Sequence, residues 1–225
     1  MTDILLLAGQ TLGRDALAPL SGRRVQLTDC DLDEADLSEL DMAGWRFERC
    51  TLRRARLRQA RLEGSTWAAC RAPLADLSSA DLSDAALTGC DINNASFRFA
   101  RLGGLRVTGS KLTGADFSEA RVTDLALEET LLAGARLAGA SFRKARLVRV
   151  DFTQAELAKA DFREALFTDC SLRDAALAGA RFDKADLRGA DLGGLRLADA
   201  ALFRGAIISR AQAAELIAAL GLVLG

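Results

Sequence analysis

From Leu27 to Ile207 almost every fifth residue is large and apolar, and the spacing alone predicts an unbroken frame. Of the 37 positions, 36 are Leu, Ile, Val, Met, Phe or Trp, and the exception is Ala72. Two residues before each, 30 of 37 are Ala, Cys, Ser, Thr or Gly, so the unit reads small–x–large–x–x, as in "ADLSS", "ADFSE" and "ADLRG". Ala and Leu favour helix. A five-residue step on a helix, however, rotates a side chain by about 140°, so the apolar positions would wander around the cylinder. In extended backbone, residues two apart share a face. The small and large residues then point inward together, and the remaining residues turn the chain before the next unit. Repetition makes a coil that stacks on itself.

The cysteines set the size of the coil. Cys30, Cys50, Cys70, Cys90 and Cys170 all lie on one twenty-residue grid. Four units per turn would stack them in one column. Residues 35, 55, 75, 95, 115, 135, 155 and 175 form a second column, and all are Ala. The outward position before the large residue adds a third sign. At spacing twenty it reads Asp36, Arg56, Asp76, Ser96, Asp116, Arg136, Glu156 in one column and Asp41, Arg61, Asp81, Arg101 in another. Stacked strands lie about 4.8 Å apart, so this alternation sets opposite charges above one another.

Composition removes several functions. Thirty Lys and Arg face 31 Asp and Glu, a net charge of −1, which gives no general attraction to nucleic acid or anionic membrane. There is no His, and the chain shows no nucleophile motif, phosphate-binding glycine loop or metal-ligand cluster. The expectation is a protein that is not an enzyme and carries no cofactor. No apolar run is long enough to span a bilayer, and the start "MTDILLLAGQ" lacks the basic residues of a signal peptide. The expected location is the cytoplasm, with reduced thiols. Cys is read as a small buried residue, since Ser110, Thr130 and Val150 continue its column.

The repeat resembles the pentapeptide-repeat family, over roughly residues 25–207. The resemblance implies an all-β solenoid, a right-handed quadrilateral β-helix of about nine coils. It divides the chain into an N-terminal cap (1–24), the β-helix (25–207) and a C-terminal helix and tail (208–225). Ser209 and Gln212 form a capping box, with a short helix expected to about Leu220 and Gly221 as its stop. A rod with such a tail is similar to the Qnr and MfpA branch, whose members dimerise through the C-terminal end and protect DNA gyrase and topoisomerase IV from quinolones or related poisons, as DNA mimics. The resemblance therefore implies a topoisomerase partner and a homodimer, without direct nucleic-acid binding. The interface would include Phe203, Ile207, Ile208, Leu216, Ile217, Leu220, Leu222 and Val223. An alternative is a scaffold with an unrelated partner.

The charges come in bands. Residues 29–41 hold seven acids and no base, and 46–61 hold seven arginines against Glu48. A ladder with a soluble surface accounts for such bands, and so does a partner site. The band nearest the implied dimer end, Asp151, Glu156, Asp161, Glu164, Asp169 and Asp174, is the candidate contact surface. Wholesale DNA mimicry does not fit a net charge of −1, which leaves local acidic patches. Irregular units set further expectations. Ala72 with Pro73 should kink one side. Trp45 either pushes its side outward or fills space near the N-terminal end. Phe99 and Phe203 should face out.

Overall fold

A computed structural model describes residues 4–193 and 201–219. The chain forms the parallel β-solenoid that the period predicts. One face is a nine-stranded parallel sheet in simple sequential order. Its strands are β1 (Leu5–Ala8), β2 (Val25–Thr28), β3 (Arg46–Glu48), β4 (Thr66–Ala68), β5 (Ala86–Thr88), β6 (Arg106–Thr108), β7 (Ala126–Glu128), β8 (Arg146–Val148) and β9 (Leu166–Thr168). Register advances by twenty, from Leu5 opposite Val25 to Leu147 opposite Phe167. The other three faces carry single bridges with the same spacing, such as Thr51 to Arg71 and Asp76 to Ser96. A short pair, β10 (Cys170–Ser171) with β11 (Ala190–Asp191), comes next. The first coil replaces two sides with α1 (Arg14–Leu17) and a 3-10 turn (Ala18–Leu20), and Leu17 plugs the core from that end. α2 (Arg210–Ala219) closes the other end.

Local chemistry explains the five-residue unit. The N–H of each small residue commonly bonds to the carbonyl of the preceding large residue, as Ala80 does to Leu77 at 3.1 Å and Ala155 to Phe152 at 3.0 Å. Between them the second turn residue is left-handed, with φ from 51° at Arg49 to 73° at Gly139. This is the geometry of a type II turn. Val, Ile and Thr do not occur at these left-handed positions, where a β-branched side chain would be strained. The outward Asp completes the turn. Its Oδ1 accepts the N–H two residues on, at 3.0 Å from Asp76 to Ser78 and 2.9 Å from Asp151 to Thr153. Asp thus recurs before the large residue because it holds the backbone.

That geometry also corrects the expected kink. Ala72 N–H reaches Asp91 O at 2.7 Å and Arg54 N–H reaches Pro73 O at 3.0 Å, so the ladder passes through undisturbed. Pro73 occupies the first turn position, whose N–H serves the Asx turn elsewhere and not the ladder, and whose φ suits proline. The missing bulk at Ala72 is met by a neighbouring side chain. Trp67 lies beside it, its Nε1–H donating to Ser65 Oγ at 3.0 Å, and the gap that the two share with Leu77 and Ile92 admits no water. Changing Ala72 to Leu should overpack this coil and cost about 1–3 kcal/mol. Changing Trp67 to Leu should open a cavity and cost about 2–4 kcal/mol. The double variant restores the ordinary pair, so a double-mutant cycle by urea denaturation should show coupling of about 1 kcal/mol or more. Strict additivity would contradict the compensation.

Trp45 fills space: it is fully buried, donates its Nε1–H to Arg23 O at 2.9 Å, and begins an aromatic run in which Phe47 stacks on Trp67 at 4.4 Å. Phe99 is exposed at a corner, 5.6 Å from the Arg98 guanidinium. The C-terminal end departs from the frame. Ser171 pairs with Asp191 at spacing 20, but Asp186 bridges Ile207 at spacing 21. One extra residue therefore shifts the frame beyond that point. Phe203 turns inward and stacks on Phe182 at 4.7 Å, while Ile207 takes an outward position, 49% exposed. Both orientations reverse the expectation from an unbroken frame.

Candidate functional site

The cysteine column is a structural element. All five thiols are free and buried. Each Sγ lies against carbonyls. Cys50 donates toward Glu48 O at 3.5 Å, and Cys170 toward Thr168 O at 3.4 Å. Ser110 and Thr130 make the corresponding bonds with hydroxyls, to Thr108 O and Glu128 O. The Cys50 and Cys90 thiols on either side of it, together with burial, hold the Cys70 proton well above the ordinary thiol range. Burial likewise raises Cys170. Buried thiols in such surroundings are structural. Val150 and Ala190 occupy the same column without a donor, so Cys50→Ala should change stability by less than about 1 kcal/mol. Cys50→Leu should cost about 1–3 kcal/mol by overpacking. Thermal melts of both variants check this.

The charge columns form inter-coil ion pairs. Arg61 meets Asp41 at 3.0 Å, Arg101 meets Asp81 at 3.3 Å, and Arg136 meets Asp116 at 3.4 Å. Each exposed pair contributes about 0.5 kcal/mol; their repetition fixes register.

The acidic band is dispersed by the coil. Asp151, Glu156 and Asp161 occupy outward positions on three successive faces, and Glu164, Asp169 and Asp174 sit at left-handed corners. They wind around the rod and are not brought together. Several are already engaged. Asp161 is buried, with Arg163 at 2.7 Å and Arg181 at 2.9 Å. Glu164 meets Arg143 at 3.0 Å, and Glu156 lies 3.8 Å from Arg136. The Arg163 hydrogen bond, with Arg181 nearby, holds the Asp161 carboxyl below its ordinary 3.8. A lowered carboxylate pKa stabilises the fold above the ordinary value, and the contribution is lost as pH falls through the lowered value. Hydrogen bonds from Arg49, Ser38 and Arg188 lower Asp29, Asp36 and Asp186 respectively. The melting temperature should therefore fall on acidification below about pH 4, and less steeply in Asp161→Asn. An unchanged slope in that variant would contradict the role of Asp161.

At the C-terminal end, α2 is tied to the rod by one side chain. Ser209 Oγ accepts Gln212 N–H at 3.1 Å, and Gln212 Oε1 accepts Ser209 N–H at 2.7 Å, which is the capping box. Gln212 Nε2 also donates to Leu187 O at 2.7 Å and Ala190 O at 2.6 Å. This buried amide seals the last carbonyls of the coil. The box is legible in the sequence, but the second pair of bonds is not, because it depends on where the helix lands. Ile208, Leu216 and Ile217 are half-buried, and Ile207 is exposed. Leu220, Leu222 and Val223 lie outside the described residues. Among the described residues no group of His, Cys, Asp or Glu is placed to hold a metal, and no helix is long and apolar enough to cross a membrane.

Two family models match the sequence. A pentapeptide repeat region covers residues 22–97, and pentapeptide repeats (8 copies) match overlapping stretches from 90 to 202. The chain belongs to the pentapeptide-repeat family. No curated protein sequence matches it. Solved structures do. HetL, a pentapeptide repeat protein involved in heterocyst differentiation regulation from the cyanobacterium Nostoc sp. strain PCC 7120, is 26% identical, with a TM-score of 0.68 over 87% of this chain and 92% of HetL. Full-length QnrB1, a plasmid-mediated fluoroquinolone resistance protein, is 21% identical, with a TM-score of 0.71 over 98% of this chain and 99% of QnrB1. The latter likeness is one of fold.

Proposed function

We propose that this protein is a non-enzymatic interaction protein that binds a type II topoisomerase, DNA gyrase or topoisomerase IV, and protects it from quinolone-like or natural-product poisons. It acts in the cytoplasm as a homodimer joined at the C-terminal end. The observation that carries the reading is the end-to-end correspondence of the rod with QnrB1, across nearly the whole of both chains. A rod of this kind works by presenting a surface, and a two-fold dimer presents each surface twice to a two-fold enzyme. The contact is local. Ion pairs engage Glu156, Asp161 and Glu164, so mimicry of DNA is confined to the remaining acids of the band, Asp151, Asp169 and Asp174. Restoration of gyrase supercoiling in the presence of a fluoroquinolone tests the reading.

A second reading is a scaffold for an unrelated protein partner. The likeness to HetL, at higher identity than QnrB1, favours it. An inactive protein in the supercoiling assay, with intact fold and dimer, would select this reading.

A further inference from the structure

The coil-to-coil ladder opens at one seam. The repeating pattern calls for bonds from Val122 N–H to Ser141 O, Asp124 N–H to Arg143 O, Ser141 N–H to Ala120 O and Arg146 N–H to Leu125 O. None is made, and the turn bond from Leu125 N–H to Val122 O is open too. One coil earlier the equivalents are present: Leu102 to Arg121 at 3.0 Å, Gly104 to Thr123 at 3.0 Å and Arg121 to Ala100 at 2.8 Å. One coil later they return, with Phe142 to Asp161 at 2.8 Å and Lys144 to Arg163 at 2.9 Å. Between β7 and β8 only Glu128 and Val148 pair. The other faces stay closed, through Asp116 to Arg136 and Leu131 to Asp151. The result is a wedge, closed on one side of the rod and open on the other. It holds a cavity of about 760 Å³ lined by Thr123–Ala126 and Ser141–Arg146, continued by one of about 410 Å³ past Arg106 and Glu128.

The sequence supplies the cause. At this corner the inward pair is Leu102 with Leu105, then Val122 with Leu125. It switches to Phe142 with Ala145, Phe162 with Ala165 and Phe182 with Ala185. The phenylalanines stack on one another at 4.9 and 5.0 Å. Val122 offers Phe142 no ring, and Leu125 has only Ala145 opposite. Two well-packed stacks of different cross-section meet at the seam.

We propose that this seam docks an extended acidic peptide of a partner protein, which adds as a strand to its open lips. The lips present main-chain groups with no partner in the ladder, and pairing with an added strand supplies one. The charge selects an acidic occupant. Arg106, Arg143, Lys144 and Arg146 line the opening and are exposed, against Asp124 and Glu128, with Glu164 pairing Arg143 and Lys144 from the next coil. The site uses neither the C-terminal end nor Asp151, Asp169 and Asp174, so it stands apart from the topoisomerase reading.

The test uses the full chain and a fluorescein-labelled decapeptide of alternating Glu and Val, with a Lys–Val decapeptide and a single-stranded oligonucleotide as controls. Anisotropy should show the Glu–Val peptide binding at least about tenfold more tightly than either control, and Arg143→Glu with Arg146→Glu should weaken it about tenfold. Val122→Phe with Leu125→Ala continues the Phe–Ala stack across the seam. This variant should melt higher and lose the peptide. In hydrogen exchange the amides of Val122, Asp124, Ser141 and Arg146 should exchange faster than those of Leu102, Gly104 and Arg121, and slow when peptide binds. Slow exchange in the free protein, equal binding of oligonucleotide and peptide, or undiminished binding by the closed-seam variant would each overturn the proposal.

Discussion

Gln212→Ala should release α2 from the end of the rod and cost about 2–4 kcal/mol. Four hydrogen bonds converge on this residue, two within the capping box and two to the carbonyls of Leu187 and Ala190. Truncation leaves Ala190 O without a donor and Leu187 O with only the Ala190 N–H, at 2.9 Å, at the mouth of an apolar core, and an orphaned buried polar group costs more than a hydrogen bond gains. Solenoids depend on such end caps, because an open last coil exposes both core and sheet edge. Gln212→Glu separates the contributions. It keeps the acceptor for Ser209 N–H but turns a carboxylate toward two carbonyls, and should be at least as damaging as Ala. Hydrogen exchange should show loss of protection in α2 and the last coil, with the middle coils unchanged, since contacts in a solenoid are between neighbours. A Gln212→Glu variant as stable as the native protein would show that the helix is held by other contacts.

Leu216 and Ile217 changed together to Asp should yield a monomer without protecting activity. The effect depends on the proposed dimer, and burial of unpaired carboxylates in an apolar interface is costly. Both residues are half-buried within one chain, so the double variant also strains the seating of α2. Ile207→Asp isolates the interface. Ile207 is 49% exposed, outside the core, and its change should leave the melting temperature nearly unaltered while weakening the dimer. Size-exclusion chromatography with light scattering reads the oligomeric state, and circular dichroism the retained β-structure. A native protein that is monomeric, or dimeric variants of both kinds, would remove the C-terminal end from the interface.

Most of the rod is in plain view in the sequence. A coil interior mostly takes a small and a large residue per side, so the five-residue period, the twenty-residue register and the inward Cys and Ala columns can all be read directly. The misreadings have local causes. Phe203 and Ile207 exchange roles because one added residue moves the frame near the C-terminal end, and counting the period cannot detect a shift that leaves large residues in both frames. Pro73 reads as a kink because proline disrupts ladders, but the N–H at that turn position belongs to an Asx turn. The acids from Asp151 to Asp174 form a band along the chain, yet the coil distributes consecutive units over different faces. Asp161 is buried between two arginines for structural reasons. The seam at Val122 and Phe142 has a signal, the switch from Leu–Leu to Phe–Ala pairs, which emerges only when units twenty residues apart are compared.

Gyrase supercoiling of relaxed plasmid in the presence of an inhibitory fluoroquinolone, with the protein titrated in, tests topoisomerase protection most directly. Supercoiled product should return as the protein is added, fade with added salt as exposed charge contacts are screened, and fail to return with the Leu216 and Ile217 double variant. No recovery at any concentration of folded, dimeric protein would contradict topoisomerase protection and leave the rod as a scaffold for a different partner.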